Sequence, residues 1–167
     1  MTDTRGFRTS NVNALTLEIA SQLSRFGASL TKVTALALDN KDFATIELWK
    51  SVLPTATLKG QVATAYIPFD PAIDSTTDSF DGSLVSFLLD TREVMVPMIC
   101  KEISEQQTKI SLRCKPGFDV SELAASLGGG GHRQPAGATL NGSAKDVIET
   151  LQPKLQAIVA AGNLQIK

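Results

Sequence analysis

Four consecutive glycines, Gly128 to Gly131, lead straight into the chain's one histidine, His132, and then into Arg133-Gln134-Pro135-Ala136-Gly137. Glycine loses more conformational freedom on folding than any other residue, so such a run is costly unless something offsets it. What the missing Cβ atoms permit is close approach. Successive backbone N–H groups can face a ligand and form a nest for phosphate or another anion. Beside such a nest, His132 can donate a hydrogen bond to a phosphate oxygen and Arg133 can add charge. A plain turn after a helix, with a solvated histidine, accounts for the same residues, and spacing alone does not separate the two readings. The run is neither a Walker loop, which ends in Lys-Ser/Thr, nor a dinucleotide fingerprint, which opens a helix.

A second candidate is Arg113, in Ser111-Leu112-Arg113-Cys114. Period-two alternation turns it away from Leu112 and Cys114. Strand arginines are commonly solvated or ion-paired, but a guanidinium fixed on a strand is also a rigid clamp for phosphate. The histidine count limits the rest of the chemistry. Metal hydrolases usually place two or more histidines on their ions, and this chain has one.

These residues need a scaffold that 167 residues can supply without metal or disulfide, as one domain or one domain with an appendage. Apolar residues make up 43% and charged residues 20%, which excludes a disordered tail. With 16 basic and 17 acidic residues, the net charge is −1. That argues against a sequence-independent duplex binder but leaves room for a small anionic ligand held by a local cluster of donors. Cys100 and Cys114 lack metal-finger spacing and read as small core residues in a reducing, cytoplasmic setting. No membrane span and no signal peptide is evident.

The positioning elements follow from periodicity. Leu15, Ile19, Leu23 and Phe26 form a helical stripe that reads as packing, capped by Asn13 and stopped by Gly27. Short helices are expected around Val33–Ala37 and from Phe43 to Leu53, the latter ended by Pro54. Strands are expected at 61–68, at 94–100, where Pro97 is an awkward member, at 109–114 and at 136–140. Residues 70–81 read as a loop and Ser83–Leu89 as a short helix. A helix capped by Asp119 should lead into the glycines. A last helix, capped by Ser143, should kink or split at Pro153. Alternating strands and helices predict an α/β fold, a mixed β-sheet flanked by helices, over roughly 110 residues after a helical linker segment.

Taken together, Ser111-Leu112-Arg113, Asp119-Val120, and Leu127-Gly128-Gly129-Gly130-Gly131-His132 with Ala136-Gly137 resemble the C-terminal, DHH-associated domain of DHH phosphoesterases. The pattern is closest to the oligoribonuclease and adenosine-bisphosphate phosphatase branch related to RecJ, and the match is strongest from Val94 to Leu140. Pro135 departs from the usual residue there and should stiffen the loop exit. Thr2-Asp3-Thr4-Arg5-Gly6-Phe7-Arg8 resembles the last motif of the DHH catalytic domain, whose aspartate binds a metal ion, although Arg5 stands where glycine is common. The resemblance implies that residues 1–56 are the helical tail of the catalytic domain with its linker, and that 57–167 are the substrate-binding domain. It assigns Arg113, Gly129, Gly130, Gly131 and His132 to gripping a phosphate or nucleotide end, beside which Arg133 adds charge, and Asp3 to an orphan metal ligand.

In that family two metal ions, commonly manganese, activate water against a phosphoester. The Asp-His-His signature that helps hold them does not occur in this sequence. The implied function is the phosphate-gripping half of a phosphoesterase acting on short oligonucleotides or nucleoside bisphosphates. As this chain it is catalytically incomplete and completed by a catalytic domain in cis or in trans. A stand-alone nucleotide- or RNA-binding module is the alternative. A related domain appended to alanyl-tRNA synthetase shows that the fold can serve RNA recognition. A pure oligomerisation domain would leave the glycine-histidine loop unused.

Overall fold

A computed structural model describes residues 4, 6–9, 11–38, 42–70, 80–131 and 135–162. Two compact units emerge, Met1–Ile46 and Glu47–Lys167.

In the first unit, α1 (Ala14–Arg25) begins at a capping box. Asn13 Oδ1 accepts from the Thr16 amide at 3.0 Å, and Thr16 Oγ1 accepts from the Asn13 amide at 3.4 Å. Gly27, at φ +97°, follows the end of the helix, as the sequence suggests. Next comes α2 (Leu30–Leu38), and neither helix buries any residue. The apolar stripe of α1 is real, but Leu15, Ile19, Leu23 and Phe26 are all exposed, so the expected packing is not found among the described residues. Periodicity reports amphipathicity and says nothing of what covers the stripe.

α3 (Phe43–Val52) runs into a single 3₁₀ turn, Leu53–Thr55, in which Pro54 supplies the stop. In the second unit the described residues form one mixed sheet. Its strands are β1 (Thr57–Lys59), β2 (Val62–Ile67), β3 (Val96–Ser104), β4 (Gln107–Arg113), β5 (Gly130–Gly131) and β6 (Pro135–Asn141). Their order is β1-β2-β3-β4-β6-β5; β2 and β3 are parallel and every other pair is antiparallel. The parallel pair is joined through α4 (Phe80–Leu89). Phe80 and Asp81 are therefore helical, whereas a loop was expected to reach 81; residues 71–79 of that stretch lie outside the described residues. β1 was not anticipated, because three exposed residues carry no alternation. It is tied to β2 by a two-residue turn in which Gly60 and Gln61 both have positive φ, the backbone that matches strand twist in a tight hairpin.

Pro97 does occupy a central strand. It lies one residue ahead of the first β3–β4 pair, Met98↔Leu112, where a missing donor is tolerated. Alternation then sorts the two faces. Val62, Val96, Met98, Cys100, Ile110, Leu112 and Ala138 point to one side, under α5 (Ser121–Ser126) and α6 (Ala144–Gly162). Ala65, Ile67 and Ile99 point to the other, against Leu84, Val85 and Leu88 of α4 and Val52 of α3. Leu48, Trp49 and Leu53 join that second cluster, which is why the compact unit starts at Glu47, ahead of Thr57.

One helix cap needs correction, and of the two outcomes expected at Pro153, a kink or a split, the split does not occur. The N-cap of α5 is Val120; Asp119 instead accepts the Ser121 amide at 2.8 Å and the Ser121 hydroxyl at 2.6 Å from one position further out. α6 is not split at Pro153 and continues to Gly162. Pro153 is exposed, so the carbonyl it leaves unpaired can be solvated. Ser143 caps α6 as expected, its Oγ accepting from the Asp146 amide and donating to Asp146 Oδ2. Glu102 adds a tie that sequence does not show. Its carboxylate accepts the Phe69 amide at 3.1 Å and the Ala144 amide at 2.9 Å, joining the exit of β2 to the start of α6.

Candidate functional site

Each described glycine of the run has its own task. α5 ends in a Schellman motif. The Gly128 amide donates to Ala125 O at 3.0 Å, and the Gly129 amide donates to Ala124 O at 2.9 Å. Gly128 sits at φ +76°, the left-handed conformation this cap requires. A Cβ at Gly129 would stand 2.0 Å from Gly137 O and 2.6 Å from Ala138 Cβ, so only glycine brings the loop this close to β6. These two amides are engaged by the helix cap. Gly130 and Gly131 continue as β5, an exposed edge strand paired through Gly130↔Gly137 and Gly131↔Ala136. A Cβ at Gly130 would meet nothing within 4 Å, so packing does not demand a glycine there.

Arg113 closes β4, and the burial pattern of that strand bears out its predicted side. Thr108, Ile110 and Leu112 are buried, while Lys109, Ser111 and Arg113 are half-buried on the opposite face. Arg113 Nε is shielded from solvent, which fixes the guanidinium plane more firmly than at a fully exposed position. On the same face β6 presents Gly137 beside Ser111 and Thr139 beside Lys109. α4 lies over β3 and reaches β4. Beyond it Thr139 and Gly130 are exposed, so among the described residues the β4–β6–β5 part of this face is open. With strands ~4.8 Å apart, β5 lies about 10 Å from β4, within reach of a long arginine side chain and a ligand held between them.

The structure thus brings Arg113 and Gly130 to one open face, with Gly131 next along the same edge strand and Gly129 as the packing residue that seats β5. His132 and Arg133 lie outside the described residues, as does Asp3. Among the described residues no three His, Cys, Asp or Glu side chains come together to hold a metal ion, so the manganese of the resemblance finds no ligand set there. Cys100 and Cys114 are both buried reduced thiols, as expected. Desolvation, with Glu102 nearby, pushes the Cys100 thiol up to about 12; desolvation, with Asp119 nearby, pushes Cys114 up to about 11. Neither is a nucleophile near neutral pH.

Ser111 and Lys109 share the face of Arg113 and were not singled out from sequence. The alternation of 109–114 already placed them there. The pairing of Ser111 with Gly137 needed the register.

Residues 60–161 match the DHHA1 domain family. The bifunctional oligoribonuclease and PAP phosphatase NrnA of Thermus thermophilus is 30% identical, over 95% of this chain and 47% of its own length. An exopolyphosphatase-related protein of Bacteroides fragilis superposes with a TM-score of 0.80 at 24% identity, over 96% of this chain and 49% of that one, and so shares the fold. The chain spans about half the length of these relatives. Among the described residues no helix is long and apolar enough to cross a membrane. The family match runs from the β1–β2 turn through α6 to residue 161 and takes in the glycine edge strand and Arg113: this chain belongs to the DHHA1 domain family.

Proposed function

We propose that this chain is the substrate-gripping half of a DHH-family phosphoesterase acting on short oligonucleotides or nucleoside bisphosphates. One observation carries the reading: Arg113 and the glycine edge strand share an open sheet face. A guanidinium supplies paired, directional donors to a phosphate, and glycines let its oxygens approach the backbone. His132 and Arg133, which follow β5 in the sequence, extend the same grip. None of these groups activates water. Residues 57–167 form the binding domain in this reading. Residues 1–56 are the tail and linker of a catalytic domain, which supplies the metal ligands and covers the exposed Leu15, Ile19 and Leu23. The name of the Thermus relative, an oligoribonuclease and PAP phosphatase, supports the substrate class. The setting proposed is the cytoplasm, where such substrates arise.

A stand-alone nucleotide- or RNA-binding module is the competing reading; it uses the same phosphate grip and needs no catalytic domain. One experiment addresses both. Hydrolysis of a dinucleotide and of adenosine 3′,5′-bisphosphate is followed with manganese, on this chain alone and with an Asp-His-His catalytic domain supplied. The expected result is ligand binding without turnover by the chain alone, and turnover once the catalytic domain is present. Binding with no turnover in either setting supports the module, and failure to bind either ligand overturns both readings.

A further inference from the structure

The turn from β6 into α6 joins two residues with a chemistry of their own, Asn141 and Gly142. The side-chain amide carbon of an asparagine lies within reach of the next residue's backbone nitrogen, and a glycine there leaves the approach free of a Cβ. Attack by the Gly142 nitrogen closes a five-membered succinimide. The bond from Gly142 N to Asn141 Cγ forms and the bond from Asn141 Cγ to Nδ2 breaks, and the proton of the Gly142 amide leaves with the ammonia. Water then opens the ring at either carbonyl and yields aspartate or isoaspartate.

The backbone of the turn requires the glycine. Gly142 sits at φ +113°, where L side chains are strained, although a Cβ there would come no closer than 3.9 Å to Asp146 Cβ. Asn141 is exposed, so water reaches its side chain. The attacking nitrogen, however, is occupied. Its N–H donates to Gln106 O at 2.8 Å, and the Gly142 carbonyl accepts from the Thr108 hydroxyl, also at 2.8 Å. Asn141 itself is held in the sheet opposite Gln107. Gln106 and Gln107 stand at the exposed β3–β4 turn, and an exposed turn opens at a lower free-energy cost than the core.

We propose that Asn141 is a deamidation site that the folded sheet holds back through the Gly142–Gln106 bond, so that modification proceeds only as this end of the sheet opens. The inference is independent of what the open face binds. The two products differ in their effect on the fold. Aspartate adds a charge beside Glu105 and Asp146, which line the same hollow. Isoaspartate also lengthens the main chain just ahead of Gly142, which pulls that residue off its two partners and disturbs the Ser143 cap of α6.

The full chain is incubated at mildly alkaline pH, folded and in guanidinium chloride, and peptide mapping by mass spectrometry follows aspartate and isoaspartate at position 141. Conversion in the unfolded chain should be faster by on the order of tenfold or more, the ratio set by a local opening cost of about 1.4 kcal/mol. Thr108→Val removes the hydroxyl bond to Gly142; it should speed conversion of the folded chain several-fold and leave the unfolded rate unchanged. Hydrogen exchange at the Gly142 amide should rise with it. Asn141→Gln should show no conversion on the same timescale. Equal rates in the folded and unfolded chain, or no conversion at Asn141 in guanidinium chloride, overturn the proposal, as does an unchanged rate in a folded Thr108→Val. Should that variant melt far below the parent, exchange in the parent decides: a Gly142 amide that exchanges as freely as in the unfolded chain removes the restraint and the proposal with it.

Discussion

Replacing Gly129 by alanine and, separately, Gly130 by alanine makes the same chemical change at neighbouring positions, yet the structure predicts opposite outcomes. At 129 the new methyl would lie 2.0 Å from Gly137 O and 2.6 Å from Ala138 Cβ. β6 cannot retreat, because it is paired with β4 from Pro135 to Asn141. The loop must move instead. That breaks the amide bonds of Gly128 and Gly129 to Ala125 and Ala124 and pulls β5 away from β6. Two cap hydrogen bonds at about 1 kcal/mol each, with residual overpacking of about 1 kcal/mol, put Gly129→Ala at about 2–4 kcal/mol of lost stability. At Gly130 the methyl meets nothing within 4 Å, so the stability change should stay within about 0.5 kcal/mol. The same methyl, on the exposed edge strand, should keep a phosphate oxygen off the backbone and weaken mononucleotide binding several-fold. Urea unfolding and a nucleotide titration on both variants supply the numbers. Equal stability losses for the two variants, or unchanged binding in Gly130→Ala, would refute the division of labour among the glycines.

Arg113→Ala should weaken mononucleotide binding more than Lys109→Ala, by about 1.5–3 kcal/mol, although each removes one positive charge; equal effects in titration would mean that only net charge matters. His132→Ala should reduce nucleotide affinity by a similar amount and leave the melting temperature nearly unchanged, whereas a large drop in melting temperature at constant affinity would make His132 a packing residue. The buried thiols set a pH dependence. Burial raises Cys100 to about 12 and Cys114 to about 11, above the ordinary value near 9, so between pH 9 and 11 the unfolded chain loses protons that the folded chain keeps. Stability therefore falls as pH rises, by at most about 1.4 kcal/mol per pH unit for each thiol. Urea unfolding at pH 8 and pH 10 should show a shallower fall in a Cys100→Ala/Cys114→Ala double variant than in the parent.

Much of the scaffold could be read from residue order, because its signals are local. Asn13 and Gly27 bracket α1, Ser143 starts α6, and the alternation of 109–114 orients Arg113. What was missed depends on contacts remote in sequence. Two glycines carry no strand propensity, so β5 exists only because Gly129 lets the loop lie down on β6. The opposition of Lys101 and Lys109 follows from register, which a period-two pattern leaves open to a shift of two residues. The stripe on α1 was legible as amphipathic, but its exposure was not, since periodicity cannot name a partner. Pro153 signalled a kink or a split, and the split does not occur because its exposed position leaves the freed carbonyl to water.

Amide chemical-shift mapping with adenosine 3′,5′-bisphosphate bears most directly on where the ligand sits. Labelled chain is titrated and the perturbed backbone amides are placed on the sheet. The largest shifts should fall on Ser111, Arg113, Gly130, Gly131 and Gly137, on the open β4–β6–β5 face. The amides of Leu151 and Leu155, beneath the opposite face, should stay in place. Shifts concentrated instead around Ser104–Gln107 and Asn141–Asp146, where a separate polar hollow lies at the far end of the same strands, would contradict the assignment of the phosphate site.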